Sequence, residues 1–416
     1  MSKIIVQNNG PLSGEVSISG SKNSALPILA SCLMTEGVCT VHSVPDLSDI
    51  KIMCRLLSAL GAKIERSKGT VRVDCTDIKE FTAPYELAGK MRGSFLLAGA
   101  LLAKYKKAGI CMPGGCPIGT RPIDLHLKGF MQMGASVSKG YGYIDLSAEK
   151  LSGAKIYLDF PSVGATENLI MAACLADGET IIENAAAEPE IKDLSDFLTK
   201  RGAIIDGAGS DRVSVQGVSE LSGAEHTIIP DRIEAGTFMT AFAITRGKGL
   251  LKNVNTEHTK AMCAKLGEMG VEFSEDSAGL VVDARKRLIS TDIKTMPFPG
   301  FPTDMQAPFG GLLATADGNG IIVETVFENR FLHVGELNRM GANIRIEGRT
   351  SLIEGVKRLT GTKVAAPDLR GGASLVLAGL CASGTTEISN AFHIHRGYEK
   401  FAEKLQSLGA AVYEEN

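Results

Sequence analysis

Apolar and polar positions follow two rhythms that recur along the whole chain. The first is an amphipathic segment with apolar residues at helical spacing, as at Ile52, Leu56 and Leu60 or Met262, Leu266 and Met269. It ends in Gly-Ala or Gly-Val and passes into a strand-like alternation. The segments are LLSALGAKIE, FMQMGASVS, FLTKRGAIID, KLGEMGVEFS, ELNRMGANIR and KLQSLGAAVY, and their glycines are Gly61, Gly134, Gly202, Gly270, Gly341 and Gly409. Successive gaps are 73, 68, 68, 71 and 68 residues, so the chain reads as six diverged copies of one unit. A glycine directly after an amphipathic helix predicts a left-handed C-terminal residue.

The second rhythm is an almost wholly apolar run rich in Ala and Gly, as in FLLAGALLA, NLIMAACLA, FMTAFAI and SLVLAGLCA, which predicts a buried helix upstream of each amphipathic one. A Gly-containing turn and short strand follow each buried helix, and a hairpin-like pair such as AKIERSKGTVRVD follows each amphipathic helix. The unit is therefore βαβαββ. The sixth copy stops at Ala-Ala-Val-Tyr-Glu-Glu-Asn without a final strand, and IIVQNNGPLSG near the N-terminus resembles the missing piece. Two domains of three repeats follow: residues 22–229, and residues 1–21 with 230–416, with the apolar helices inside each and a ligand site expected in the cleft between them.

Composition narrows the classes. A chain of 416 residues suits two domains, and 44% hydrophobic with 22% charged residues is ordinary for an ordered protein. The formal net charge of -3 means that an anionic ligand must be held by local Arg and Lys clusters and argues against a nucleic-acid clamp. The N-terminal Met-Ser-Lys-Ile-Ile-Val-Gln lacks a signal-peptide core, and the apolar stretch from Phe95 to Ala103 is too short to span a bilayer, so a cytoplasmic protein without membrane association is expected. Nine scattered cysteines with no CxxC pair indicate neither a disulfide framework nor a structural zinc site.

Polar residues gather in the loops before the buried helices: GSKNSALP, KMRGS, FPSVGATEN, PDRIEAGT, PTDMQAP and DLRGGAS. These are equivalent positions in six repeats, and each sets backbone N–H groups at a helix N-terminus, which suits either an anion or plain capping. Lys22, Arg92, Arg121, Arg330, Arg370 and Arg396 all lie beside Gly, Pro or Asn in such loops. Any one of them taken singly is better read as a surface charge or a structural ion pair; as a set they suggest a small ligand with several negative charges. The stretch CMPGGCPIGTRPIDLH, Cys111 to His126, occurs in one copy only, and Cys116 in it has Arg121 nearby to favour a thiolate.

GSKNSALP, PGGCPIGTRPIDLH, SVGATEN, PTDMQAP, ENRF, DLRGGASLVLAG and HRGYE together resemble the UDP-N-acetylglucosamine 1-carboxyvinyltransferases, over the full length of the chain. The resemblance implies two inside-out α/β barrels. It also implies transfer of the enolpyruvyl group of phosphoenolpyruvate to the 3-hydroxyl of UDP-N-acetylglucosamine, through a tetrahedral ketal, with release of phosphate and without metal or organic cofactor, as the first committed step of peptidoglycan synthesis and the target of fosfomycin. Carried onto this chain, Cys116 is the acid that protonates the phosphoenolpyruvate methylene and Asp304 the base for the sugar hydroxyl. Lys22, Arg121 and Arg396 take the phosphate of phosphoenolpyruvate, with Arg92, Arg330 and Arg370 for its carboxylate. Arg121, Pro122, Ile123, Asp124 and Leu125 take uracil, Ser162, Val163 and Gly164 the diphosphate, and Asn23 and Asp304 the sugar. Val326 lines the sugar pocket, and Asp368 is a further substrate contact. Phe160 stands where several members carry Lys, and Ser48 where some carry another.

The resemblance leaves two rivals, a 5-enolpyruvylshikimate-3-phosphate synthase and a non-catalytic paralogue. PGGC argues against the first; Lys22, Cys116, Asp304 and Arg396 together argue against the second.

Overall fold

In the computed structural model, which describes residues 2–35, 37–112, 119 and 123–415, the six amphipathic segments are helices that stop at the six repeat glycines. All six glycines have positive φ, from +91° at Gly341 to +114° at Gly61. At the first of them Gly61 N–H donates to Ser58 O at 3.1 Å and Ala62 N–H to Leu57 O at 3.0 Å, a pairing that only a left-handed residue permits.

The apolar runs form six inner helices, one per repeat. They are α1 (Lys22–Ser31), α2 (Leu97–Tyr105), α3 (Val163–Cys174), α4 (Arg232–Ile244), α5 (Gln306–Leu313) and α6 (Leu369–Cys381). Each is buried along nearly its whole length rather than on one face, as a helix apolar all round must be. Phe238, Phe242 and Phe309 are fully buried on them, and each contributes about 2–3 kcal/mol of apolar burial.

Among the described residues the sheet of the second repeat has three strands and the other five sheets have four, the first and second parallel and the fourth antiparallel between the second and third. In the third repeat these are Lys155–Tyr157, Glu179–Glu183, Ile204–Asp206 and Arg212–Gln216. The N-terminal strand β1 (Lys3–Gln7) completes the sixth sheet, with Ile4 opposite both Ile388 and Glu414. It reaches α6 closely because position 379 is glycine, where a Cβ would stand 3.0 Å from that of Val6.

Two strands are placed where the repeat pattern does not anticipate. The segment before α1, β2 (Ser13–Ser17), pairs in parallel with Lys248–Lys252 of the fourth repeat, while Glu225–Thr227, just before α4, pairs with Val38–His42 of the first. Each set of three repeats is thus closed by a strand from a distant part of the chain. Residues 2–19 and 230–415 make one compact unit and residues 20–112 with 123–229 the other, each around its own apolar core. Among the described residues no helix is long and apolar enough to cross a membrane.

The repeat glycines separate conformation from space. At Gly202 an added Cβ meets nothing within 4 Å, whereas at Gly61 it would stand 2.6 Å from Asp77 O. Gly202→Ala should therefore cost about 1–2 kcal/mol for the left-handed backbone alone, and Gly61→Ala distinctly more. Denaturant titration of the two variants checks this; equal losses contradict it.

Candidate active site

A helix buried along its length can place charged groups only at its ends, and the six inner helices differ in what meets their first N–H groups. Ser21 caps α1 and Ser162 caps α3, accepting weakly from Ser24 N and Ala165 N, each at 3.4 Å. Asp231 caps α4, accepting from Ile233 N and Glu234 N at 2.8 and 3.0 Å, and Asp368 caps α6, accepting from Arg370 N and Gly371 N at 2.9 and 3.0 Å. The turns Arg92–Leu96 and Thr303–Met305 lead into α2 and α5, which have no side-chain cap. The six loops, equivalent in sequence, are therefore not six equal anion sites. A carboxylate already neutralises the ends of α4 and α6, and a neutral hydroxyl leaves those of α1 and α3 positive.

In the unit that holds α4 to α6, the charged groups converge on Asp304. Arg330 Nη2 donates to its Oδ1 at 2.5 Å, and Arg370 donates to its Oδ2 from Nη2 at 2.9 Å and from Nε at 3.3 Å. Burial alone would raise the pKa of Asp304; Arg370 first, then Arg330, outweigh it and hold the carboxyl far below the usual carboxylate range. The guanidiniums are 5% and 3% exposed, while the Asp304 side chain keeps 26% of its surface open to solvent. Arg330 Nε and Arg370 Nη1 are buried without hydrogen-bond partners among the described residues. Unused buried guanidinium donors are costly.

Surrounding groups fix this arrangement. Arg330 Nη1 donates to Thr303 Oγ1 at 2.8 Å, and the Thr303 hydroxyl donates to Glu324, which also accepts from Val326 N at 2.8 Å. Val326 is held by its main chain beside the clamp. Arg370 lies over the Tyr398 ring at 5.1 Å, and Tyr398 and Thr237 share a hydrogen bond of 2.9 Å. Arg396 ends the turn Ala391–Arg396, two residues before Tyr398. Asp368, expected as a substrate contact, is 3% exposed, and its Oδ1 accepts from Arg370 N and Gly371 N in the α6 cap, so it positions Arg370.

In the other unit Lys22 opens α1 and its Nζ pairs with Asp49 at 3.1 Å, both residues being buried. Asn23 follows it, half-buried on the first turn. Arg92 heads the turn before α2. Ser162, Val163 and Gly164 form the N-terminus of α3, and the N–H groups of Val163 and Gly164 precede the first that the helix can pair. Ile123 is buried, while Asp124 and Leu125 begin the helix Asp124–Gln132, exposed and half-buried. Phe160 is 41% exposed, and Ser48 begins the helix Ser48–Leu60 one residue before Asp49. Cys116, Arg121 and Pro122 lie outside the described residues.

The residues that sequence reasoning missed are the partners: Asp49 for Lys22, Thr303 and Glu324 for Arg330, and Tyr398 for Arg370. Thr303 stands inside PTDMQAP and Tyr398 inside HRGYE, so their segments carried a signal; Asp49 and Glu324 carried none.

Comparison with known proteins places this geometry. A family described as EPSP synthase (3-phosphoshikimate 1-carboxyvinyltransferase) matches residues 6–405. UDP-N-acetylglucosamine 1-carboxyvinyltransferase 1 of Caldanaerobacter subterraneus subsp. tengcongensis is 56% identical over 411 residues, 99% of each chain. UDP-N-acetylglucosamine 1-carboxyvinyltransferase 2 of Carboxydothermus hydrogenoformans is 55% identical over 414 residues, again 99% of each. Among solved structures, the enolpyruvyl transferase NikO from Streptomyces tendae superposes with a TM-score of 0.89 at 25% identity, covering 99% of this chain and 98% of that one. An EPSP synthase from Acinetobacter baumannii, 20% identical with a TM-score of 0.76 over the whole of both chains, shares the fold.

One buried acid near the α3 end yields a stability prediction. Glu167 is 3% exposed, and burial first, then the charges of Glu190 and Glu188, push its carboxyl well above the ordinary 4.5. A pKa raised on folding adds stability below pH 4.5 that is lost as pH rises through the folded value. Glu167→Gln removes that loss, so its thermal stability should fall less than wild type's between about pH 5 and 8. Parallel pH profiles for the two proteins contradict this.

Proposed function

The chain belongs to the EPSP synthase family and, within it, to the UDP-N-acetylglucosamine 1-carboxyvinyltransferases, and from this premise we propose how its residues divide the reaction. The enzyme transfers the enolpyruvyl group of phosphoenolpyruvate to the 3-hydroxyl of UDP-N-acetylglucosamine, the first committed step of peptidoglycan synthesis. In the addition step the sugar oxygen bonds to C2 of phosphoenolpyruvate as C3 gains a proton and becomes a methyl group. In the elimination step that methyl group loses a proton, the bond from C2 to the phosphate oxygen breaks, and inorganic phosphate leaves with its electron pair. Cys116 is the acid for C3 and Asp304 the base for the 3-hydroxyl.

The observation that carries this reading is the clamp of two buried guanidiniums on Asp304, each with an N–H group still unused. A carboxylate held so strongly is ionised but weakly basic. Its task as a base therefore begins when the carboxylate or phosphate of phosphoenolpyruvate draws Arg330 or Arg370 toward itself and loosens the clamp. Lys22, Arg92, Arg121 and Arg396 add positive charge for the same substrate, the uncapped N–H groups at the head of α3 receive the nucleotide diphosphate, and residues 121–125 receive uracil. Asn23 and Val326 meet the sugar. Both substrates are highly charged and do not cross membranes, which supports a cytoplasmic reaction.

Phosphate release from phosphoenolpyruvate should require UDP-N-acetylglucosamine and should not be supported by shikimate 3-phosphate; the reverse preference would assign the chain to the shikimate enzyme. Asp304→Ala should lower kcat about 100-fold or more, in the range of a lost general base, with a much smaller change in KM for the sugar nucleotide. Near-normal turnover removes Asp304 from the mechanism. A thiol alkylator or fosfomycin should inactivate wild type and not Cys116→Asp.

A further inference from the structure

Behind the head of α3 lies an imidazole that the catalytic scheme does not use. His126, in the helix Asp124–Gln132, is 7% exposed and stands edge-on to Phe95 at 5.0 Å between ring centres. Its Nδ1 is 2.9 Å from Asn168 Nδ2. The Asn168 amide is oriented by its other bonds: Oδ1 accepts from Gly99 N–H at 2.7 Å, and Nδ2 donates to Phe95 O at 3.2 Å. The nitrogen facing the imidazole is therefore a donor, so Nδ1 must accept, and a neutral ring then carries its proton on Nε2.

Nε2 makes no hydrogen bond among the described residues, and it lies against Gly164, where a Cβ would stand 3.6 Å from Nε2 and 3.3 Å from Cε1. The side chain at 164 is absent where the ring approaches, and the N–H of Gly164 belongs to the same helix end. We propose that His126 is a further binding residue of the diphosphate site: Asn168 fixes its imidazole as the Nε2–H tautomer, and that N–H donates to the diphosphate beside the N–H groups of Val163 and Gly164. This rests on the assignment of UDP-N-acetylglucosamine as substrate and of the α3 N-terminus as its diphosphate site.

The electrostatics agree with a neutral donor. Burial first, and the charge of Arg92 second, push the imidazole down to about 3, so it does not titrate across the working range. Arg92 comes from the turn before α2, and the remaining faces meet Phe95, Gly164 and Asn168, none of them charged.

Long-range ¹⁵N NMR of the full enzyme tests the proposal directly. Between about pH 5.5 and 8 His126 should show a bare Nδ1 and a protonated Nε2, and saturating UDP-N-acetylglucosamine, with binding followed separately by calorimetry, should shift the Nε2–H resonance. A protonated Nδ1, or an Nε2–H that stays put while the nucleotide binds, overturns the proposal and leaves the assigned function standing. Absence of any nucleotide binding overturns both. His126→Phe should raise KM for UDP-N-acetylglucosamine about 10-fold or more, as for a hydrogen bond to a charged group, with kcat changed much less. Asn168→Asp cannot donate to Nδ1, so its KM should become dependent on pH, rising as the imidazolium loses its proton, where wild type stays flat. An unchanged KM in His126→Phe, or flat pH profiles for both proteins, contradicts it.

Discussion

Six helices buried along their whole length set the terms for everything else in this protein. A polar group within such a helix has no water to turn to, and leaving it unpartnered costs more than most single contacts return. The few hydroxyls that occur inside obey this: Thr237 and Thr240 donate back to Ile233 O and Gly236 O, and Ser374 donates to Ala307 O. Most charged residues thereby gather at the N-terminal loops, where the helices also present their unpaired N–H groups, with Glu167 of α3 and Glu234 of α4 as buried exceptions near those ends. Fold and chemistry meet at those ends because the interior excludes the alternative.

The ends then take different parts. Where Asp231 or Asp368 caps a helix, the backbone charge is answered internally and the loop becomes a rigid mount, with Arg370 projecting from the turn that Asp368 closes. Where Ser162 caps, the first N–H groups remain for an external anion. Asp304 is a third case, a carboxylate at an uncapped turn, held by two guanidiniums. Removing either guanidinium leaves a buried charge short of its partner, which is why such clusters are sensitive to single changes. In the proposed reaction a substrate anion acts on Asp304 without touching it, by competing for the same arginines.

Much of this was legible in the sequence, because burial and turn geometry act locally. The six glycines marked the helix ends, and the apolar runs marked the inner helices. The N-terminal strand could be assigned to the sixth repeat because that repeat visibly lacked one, and Ile4 does pair with Ile388 and Glu414. The short strand Glu225–Thr227 could not be assigned to the first repeat, since three residues carry no periodicity and its partner lies some 185 positions away, as His226 opposite Val41 shows. Lys22, Arg330 and Arg370 were recognisable as cations in glycine- or asparagine-containing loops. Of their partners, Thr303 and Tyr398 stood in recognisable segments, whereas Asp49 and Glu324 are defined by contact alone. An Asp before a buried helix is equally a cap and a ligand, and the capping role of Asp368 shows only in its hydrogen bonds to Arg370 N and Gly371 N. His126 stood in a conspicuous motif, yet its tautomer is set by Asn168, 42 residues on.

If the exposed ends of the buried helices are the anion-binding elements, the diphosphate of the substrate must meet one of them. A crystal structure of the enzyme soaked with UDP-N-acetylglucosamine tests this most directly. Diphosphate oxygens should then lie within hydrogen-bonding distance of the N–H groups of Val163 and Gly164, at the end that Ser162 leaves positive. A diphosphate bound elsewhere, with those N–H groups meeting only water, would contradict it.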